Sequence, residues 1–235
     1  MKCLFLAGSA NPHSVSVMIA KRFIEILKQV CDQEIETNII SLQNKHVELC
    51  KGCECCFTRG VCPLDTDDDL VKIIKIELMK ADLVVFISPI YFGNVSGGIK
   101  TIFDRLSYWS HLMPLYGKMG VGIVVSDGNS YSVGLQYLSV VMESLGLSVI
   151  DNISLLRTTA ANSTALNSVL SVLAESILRI KNGGELPVSI RQKMLYESLS
   201  KRIQSRGSGA EYDYWDKRGL FNYHSFSELI SKTRL

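Results

Sequence analysis

Five of the seven cysteines crowd into one short segment, as Cys50, Cys53, Cys55, Cys56 and Cys62. Four of them form the run Cys50-x2-Cys53-x2-Cys56-x5-Cys62-Pro63, to which Cys55 is extra. Gly52 and Gly60 allow tight turns between thiols, and thiolates this close resemble compact iron–sulfur runs more than the well-separated pairs of a structural zinc site. On the residues alone, zinc and exposed, oxidisable thiols remain open. An odd cysteine count concentrated in one loop does not suit a disulfide framework. It points to a metal or redox site in a reducing compartment, and a cytoplasmic location is expected.

Two further segments carry chemistry. Gly8-Ser9-Ala10-Asn11-Pro12-His13-Ser14-Val15-Ser16 follows a short apolar run and precedes a helical pattern, so its backbone N–H groups and the positive helix end favour an anion. Hydroxyls at Ser9, Ser14 and Ser16 add donors. Neither a G-x-G-x-x-G nor a G-x-x-x-x-G-K-[ST] pattern is present, so a single phosphate monoester fits better than a pyrophosphate or a triphosphate. The same residues also suit a serine-capped helix start with no ligand. In Ser88-Pro89-Ile90-Tyr91-Phe92-Gly93-Asn94-Val95-Ser96, Pro89 and Gly93 bend the chain at a strand end and let backbone amides approach a flat ligand. An ordinary strand-to-helix turn with Tyr91 and Phe92 in the core is the plain alternative.

The elements that must position these segments are legible from periodicity. Lys2 to Ala7 reads as a strand, and Val17, Ile19, Ala20, Phe23, Ile24, Ile26 and Leu27 recur at helical spacing. Further strands are expected at Glu34 to Leu42, Asp82 to Ser88, Lys118 to Ser126 and Leu147 to Leu155. Helical patterns lie between them at Asp67 to Met79, Ser96 to Trp109 and Tyr131 to Leu145, and after them at Ser163 to Ile180. Alternation of this kind predicts an α/β three-layer sandwich with a five-stranded parallel sheet in the order 2-1-3-4-5. The expected division is a main domain over 1–181, with the cysteine-rich insertion at 43–66, and a helical, aromatic C-terminal extension over 182–235. Asn182-Gly183-Gly184 marks the break. Tyr212, Tyr214, Trp215, Phe221, Tyr223 and Phe226 are too many aromatics for a disordered tail. They imply packing onto the main domain or onto a second subunit, and subunit packing is the favoured role. Trp109, His111, Met113 and Tyr116 could line a substrate pocket but read first as core or interface, and Cys3 and Cys31 read as small buried residues.

Composition bounds the rest. In 235 residues, 47% hydrophobic content is enough for a full core, while a net charge of +2 gives no global field toward nucleic acid or an anionic membrane. The first residues read as a strand rather than a leader, no apolar run approaches a membrane span, and a soluble protein is expected.

The segment Ser88 to Ser96, followed by Lys100, Phe103, Asp104 and Arg105, resembles the S-P-x-Y-x-G-x-x-S...K...hydrophobic-D-R signature of the NADPH-dependent FMN reductase and iron–sulfur flavoprotein group of the flavodoxin-like superfamily. With the first loop, the resemblance covers Met1 to about Leu155. It implies that Ser9, Asn11, Ser14, Val15 and Ser16 hold the phosphate of FMN, and that Pro89, Ile90, Tyr91, Phe92, Gly93 and Asn94 line its ring. Ser126, Asp127 and Gly128, in the loop Ser126 to Asn129, are expected over the same ring. Relatives often carry a threonine and paired glycines there, and often an arginine where His13 stands. The resemblance further implies that Cys50, Cys53, Cys56 and Cys62 hold a [4Fe–4S] cluster.

The activity implied is FMN-dependent oxidation of NAD(P)H, with electrons passed to a small-molecule acceptor such as a quinone or free flavin. No protein residue need act as a catalytic acid or base, because the cofactor carries the chemistry. One alternative is an electron carrier that exchanges single electrons with a ferredoxin-like partner. Another is a non-catalytic flavin-binding regulatory module. A homodimer or homotetramer is expected.

Overall fold

The computed structural model describes residues 1–11, 13–43, 45–128 and 131–233. Pro12 of the first loop and Asn129 of the third lie outside the described residues. In chain order the elements are β1 (Lys2–Ala7), α1 (Val15–Val30), β2 (Glu36–Ser41), α2 (Cys55–Arg59), α3 (Leu70–Lys80), β3 (Leu83–Tyr91), β4 (Asn94–Val95), α4 (Gly97–Arg105) and α5 (Trp109–Leu112). Then come β5 (Met119–Ser126), α6 (Ser132–Ser144), β6 (Ser148–Leu156), α7 (Arg157–Ala161), α8 (Ser163–Lys181), α9 (Ile190–Arg206), α10 (Ala210–Lys217), a 3₁₀ turn at Leu220–Asn222 and α11 (Phe226–Thr233).

The five long strands are parallel in the order β2-β1-β3-β5-β6, the expected 2-1-3-4-5 winding. A sixth strand was not foreseen. It is the two-residue β4, which folds back antiparallel on β3 with Ile90 opposite Val95. The central strands β1, β3 and β5 are buried on both faces, as in parallel sheets, and their side chains alternate between two cores. Phe5, Val85 and Ile123 meet α1 and α8 on one side; Leu4, Phe86 and Val124 meet α3, α4 and α6 on the other. Both cores are apolar enough to hold the strand ends in fixed register.

Serine and aspartate caps start the helices that matter for the site. Ser14 Oγ accepts from Val17 N, Asp69 from Lys72 N, and Ser96 Oγ from Ile99 N. Each such cap stabilises its helix by about 1 kcal/mol.

The C-terminal helices build a third core on the same chain. Trp215, Tyr196 and Phe226 are buried with Tyr108, Leu112 and Met113. Tyr196 stacks on Trp215 at 5.2 Å, and Trp215 Nε1 donates to the His111 carbonyl at 2.9 Å. Of the six aromatics named above, Trp215 and Phe226 are buried within the chain, whereas Tyr212, Tyr214, Phe221 and Tyr223 are partly exposed. Cys3 is buried as expected, and burial pushes its thiol up to about 12. Cys31 is only half-buried at the end of α1, where Lys181 Nζ donates to its sulfur at 3.1 Å. Among the described residues no helix is long and apolar enough to cross a membrane.

Candidate functional site

The loops leaving β1 and β3 emerge at the same edge of the sheet and are bonded to one another. Gly8 N donates to Ile87 O at 2.7 Å, and Ser96 Oγ donates to Gly8 O at 2.5 Å. Ser88 Oγ accepts from Ser96 N at 2.9 Å and donates to Pro89 O at 2.9 Å, which ties the ends of the hairpin together. Gly8 has no room for a side chain, since a Cβ there would stand 2.3 Å from Ile99 Cγ1. The first loop therefore lies directly against the start of α4.

A cavity of about 180 Å³ opens where these loops meet the end of β5. Ser9, Asn11, Ser14, Val15 and Ser16 line it from the first loop, Pro89, Ile90 and Tyr91 from the second, and Ser126 and Asp127 from the third. All five residues of the first group are brought together. The loop is internally braced: Ser9 Oγ accepts from Asn11 N at 3.2 Å, and Asn11 Oδ1 accepts from His13 N at 2.9 Å. Ser16 is buried behind the first turn of α1, whose N-terminus faces the cleft and favours an anion there.

Four expected residues sit elsewhere. Phe92, Gly93 and Asn94 form the tip of the β3–β4 hairpin outside the cavity lining. Phe92 is fully exposed with a left-handed backbone (φ 49°), and Asn94 Oδ1 accepts from Val95 N at 2.8 Å. Gly128 also stands outside the lining, its carbonyl accepting from Ser126 Oγ at 2.8 Å. Since Tyr91 is 60% exposed and Phe92 fully so, the reading of this turn as core packing does not hold. His13, Val125 and Arg157 join the lining unannounced. Arg157 opens α7 at the end of β6 and pairs with Asp127 at 3.4 Å. Nothing in its local sequence marked it, because only the pairing of β6 beside β5 brings it to the cleft.

The cysteine loop forms a second cavity of about 170 Å³. Cys50, Cys53, Cys56 and Cys62 all line it, along with Lys51, Phe57 and Arg105. Glu54 and the glycines Gly52 and Gly60 adopt left-handed backbone (φ 56°, 62° and 74°), which turns the chain sharply between the thiols. Cys55 does not line the cavity. Arg59 Nη2 donates to its sulfur at 2.8 Å, and this bond, followed by one from Cys53, holds the Cys55 thiol below its usual range. Burial, by contrast, pushes the Cys56 thiol up. Among the described residues no three Cys, His, Asp or Glu side chains converge as a single ion requires. Four sulfurs spaced around one cavity suit a larger guest, because a cubane is held at its corners by a different thiolate on each iron.

Arg105 pins this loop to the main body. Its Nη1 and Nη2 donate to Asp69 at 3.1 and 2.7 Å, Nη2 to Asp65 at 2.9 Å, and Nη1 to Glu48 O at 3.4 Å. Lys75 adds a second cation to Asp65 at 2.7 Å. Burial opposes the arginine charge, but Asp69 and Asp65 outweigh it and raise its pKa above the usual value. A buried pair of this kind is costly to break from one side. From the opposite side, Phe57 packs edge-on against His111 at 5.0 Å, and His111 is hydrogen-bonded to the buried Glu211 of α10.

The family model for NADPH-dependent FMN reductase matches residues 1–162. An iron–sulfur flavoprotein of Methanocaldococcus jannaschii is 33% identical over 125 residues, 53% of this chain and 62% of that protein. One from Archaeoglobus fulgidus is 30% identical over 129 residues, 54% of this chain and 56% of that protein. The chain thus spans less than two thirds of the length of these curated relatives. Among solved structures, the FMN-dependent NADH-azoreductase from Bacillus anthracis str. Ames Ancestor in complex with FMN has a TM-score of 0.53 at 16% identity, covering 76% of this chain and 98% of that one. At that identity the likeness is one of fold.

Proposed function

The chain belongs to the NADPH-dependent FMN reductase family, and from that premise we propose that it binds one FMN in the cleft between β1, β3 and β5 and uses it to oxidise NAD(P)H. Electrons then pass to a small acceptor of the quinone or free-flavin type. The observation that carries this reading is the convergence of three strand-end loops on one cavity beside the N-terminus of α1. When bound, FMN supplies the hydride-accepting ring. The chain's own residues bind and orient. Ser9, Asn11, Ser14, Val15 and Ser16 offer hydroxyls and backbone N–H groups to a phosphate, while Pro89, Ile90 and Tyr91 flank a flat ring and Ser126 and Asp127 close its far side. Titrating flavin-free protein with FMN and following NAD(P)H oxidation with a quinone acceptor tests the reading. Tight 1:1 binding with turnover is expected, and absence of both would overturn it.

A second role is favoured by the four cysteines around one cavity and by the names of the relatives. In this role Cys50, Cys53, Cys56 and Cys62 hold a [4Fe–4S] cluster that exchanges single electrons with a ferredoxin-like partner. Iron and sulfide analysis after anaerobic reconstitution decides the cluster: about four irons per chain is expected for a full cubane. Reduction by ferredoxin, with no oxidation of NAD(P)H, would make the carrier role the main one.

A further inference from the structure

We infer that Arg157 receives the phosphate of FMN through its Nη1 and Nη2 groups, an inference that rests on the FMN reading above. The loop Gly8 to Ser16, which lines the cleft beside α1, contains no lysine or arginine. Backbone N–H groups at the start of α1 offer the equivalent of about half a positive charge. A phosphate monoester carries about 1.5 to 2 negative charges near neutral pH, so most of its charge is left for another group to balance. Lys21 and Arg22, the first cations of α1, line a neighbouring groove on that helix, and Arg22 is taken up by Glu25 and Asn167 at 2.5 and 2.6 Å. Among the described residues that line the cleft, Arg157 is the one fixed cation and Asp127 the one carboxylate. Arg157 follows β6 at the edge of the sheet from which α1 also starts, and α7, which it opens, packs beside α1. Its Nε lies 3.4 Å from Asp127 Oδ1, and both side chains are largely exposed, at 63% and 75%. Exposed pairs of this kind hold weakly and rearrange at little cost. Nη1 and Nη2 donate to no acceptor among the described residues. The guanidinium is therefore free to present its fork to a phosphate, a group it matches with two parallel N–H···O bonds. The oxidised ring of FMN is uncharged, which leaves the phosphate as the anion that this cation serves.

The test uses the full chain, freed of flavin and titrated with FMN and with riboflavin, which has the same ring and no phosphate. Arg157→Gln should raise the FMN dissociation constant at least about tenfold and leave that of riboflavin within about twofold, because it removes a charge-assisted contact that only FMN makes. The riboflavin titration also shows that the variant is folded. The phosphorus resonance of FMN bound to excess protein, followed with pH, gives a second readout. The guanidinium favours the phosphate dianion, so Arg157→Gln should move the protonation midpoint of the bound phosphate up by about one pH unit. Equal losses for the two flavins, an unaltered FMN affinity or an unmoved phosphorus titration overturns the inference while leaving the FMN reading in place. Wild-type protein that binds neither flavin overturns the FMN reading itself, and this inference with it.

Discussion

Ser96 caps α4 and also donates its hydroxyl to the carbonyl of Gly8 at 2.5 Å, joining two loops that lie 88 residues apart in sequence. One side chain thereby sets both the start of a helix and the position of the loop after β1. Both halves of the proposed flavin site depend on it.

Ser96→Ala removes that bond and the cap together. A loss of about 1–3 kcal/mol in unfolding free energy is expected, together with an FMN dissociation constant raised about tenfold. Quenching of flavin fluorescence on titration measures the second. Reduced stability with unaltered FMN affinity would show that the loops are not coupled through this hydroxyl.

Gly8→Ala forces a methyl to within 2.3 Å of Ile99 Cγ1. Overpacking of this kind costs about 1–3 kcal/mol, and Ile99→Ala in the same chain should recover part of it. Thermal denaturation of the single and double variants checks the recovery; strictly additive losses would contradict the contact.

Ser16 is buried at the first turn of α1 and lines the cleft with Ser9, Asn11 and Ser14 of the loop proposed to hold the phosphate. Ser16→Asp places a like charge beside the phosphate and should weaken FMN by at least about tenfold, or ~1.4 kcal/mol, while riboflavin is affected far less. An equal loss for both ligands would move the phosphate away from this loop.

Cys53 lines the cysteine cavity and Cys55 does not. Cys53→Ser should therefore reduce the iron retained after reconstitution and gel filtration, whereas Cys55→Ser should keep the wild-type content. Equal iron loss in the two would mean that Cys55 serves as a ligand.

Trp215 is fully buried between Tyr196 and Phe221. Trp215→Ala should cost about 3–5 kcal/mol of stability. Because the same core supports His111, against which Phe57 of the cysteine loop packs, faster iron loss to a chelator is expected as well. Iron release at the wild-type rate would separate the C-terminal extension from the loop.

Much of the architecture was legible in the sequence because it follows from local rules. Period-2 and period-3.6 apolar spacing marked the long strands and helices, and the alternation of strands with helices implied the winding order and so the edge at which Ser9 and Tyr91 meet. Turn chemistry at Pro89, Gly93 and Gly8 marked where chain direction must change. The four-cysteine spacing, likewise, identified a loop able to gather its sulfurs in one place. Tertiary structure alone decided which side chains face which cavity. Spacing already set Cys55 outside the four-cysteine run, and the structure shows what it does instead, accepting from Arg59; Tyr91 stays in the cleft while Phe92, one residue on, stands in solvent. Arg157 reaches the cleft, and Arg105 the cysteine cavity, through strand pairing and ion pairs with residues far away in the chain. Such contacts depend on side-chain direction and on which distant surfaces the packed core brings together, and neither is written in any short stretch of residues.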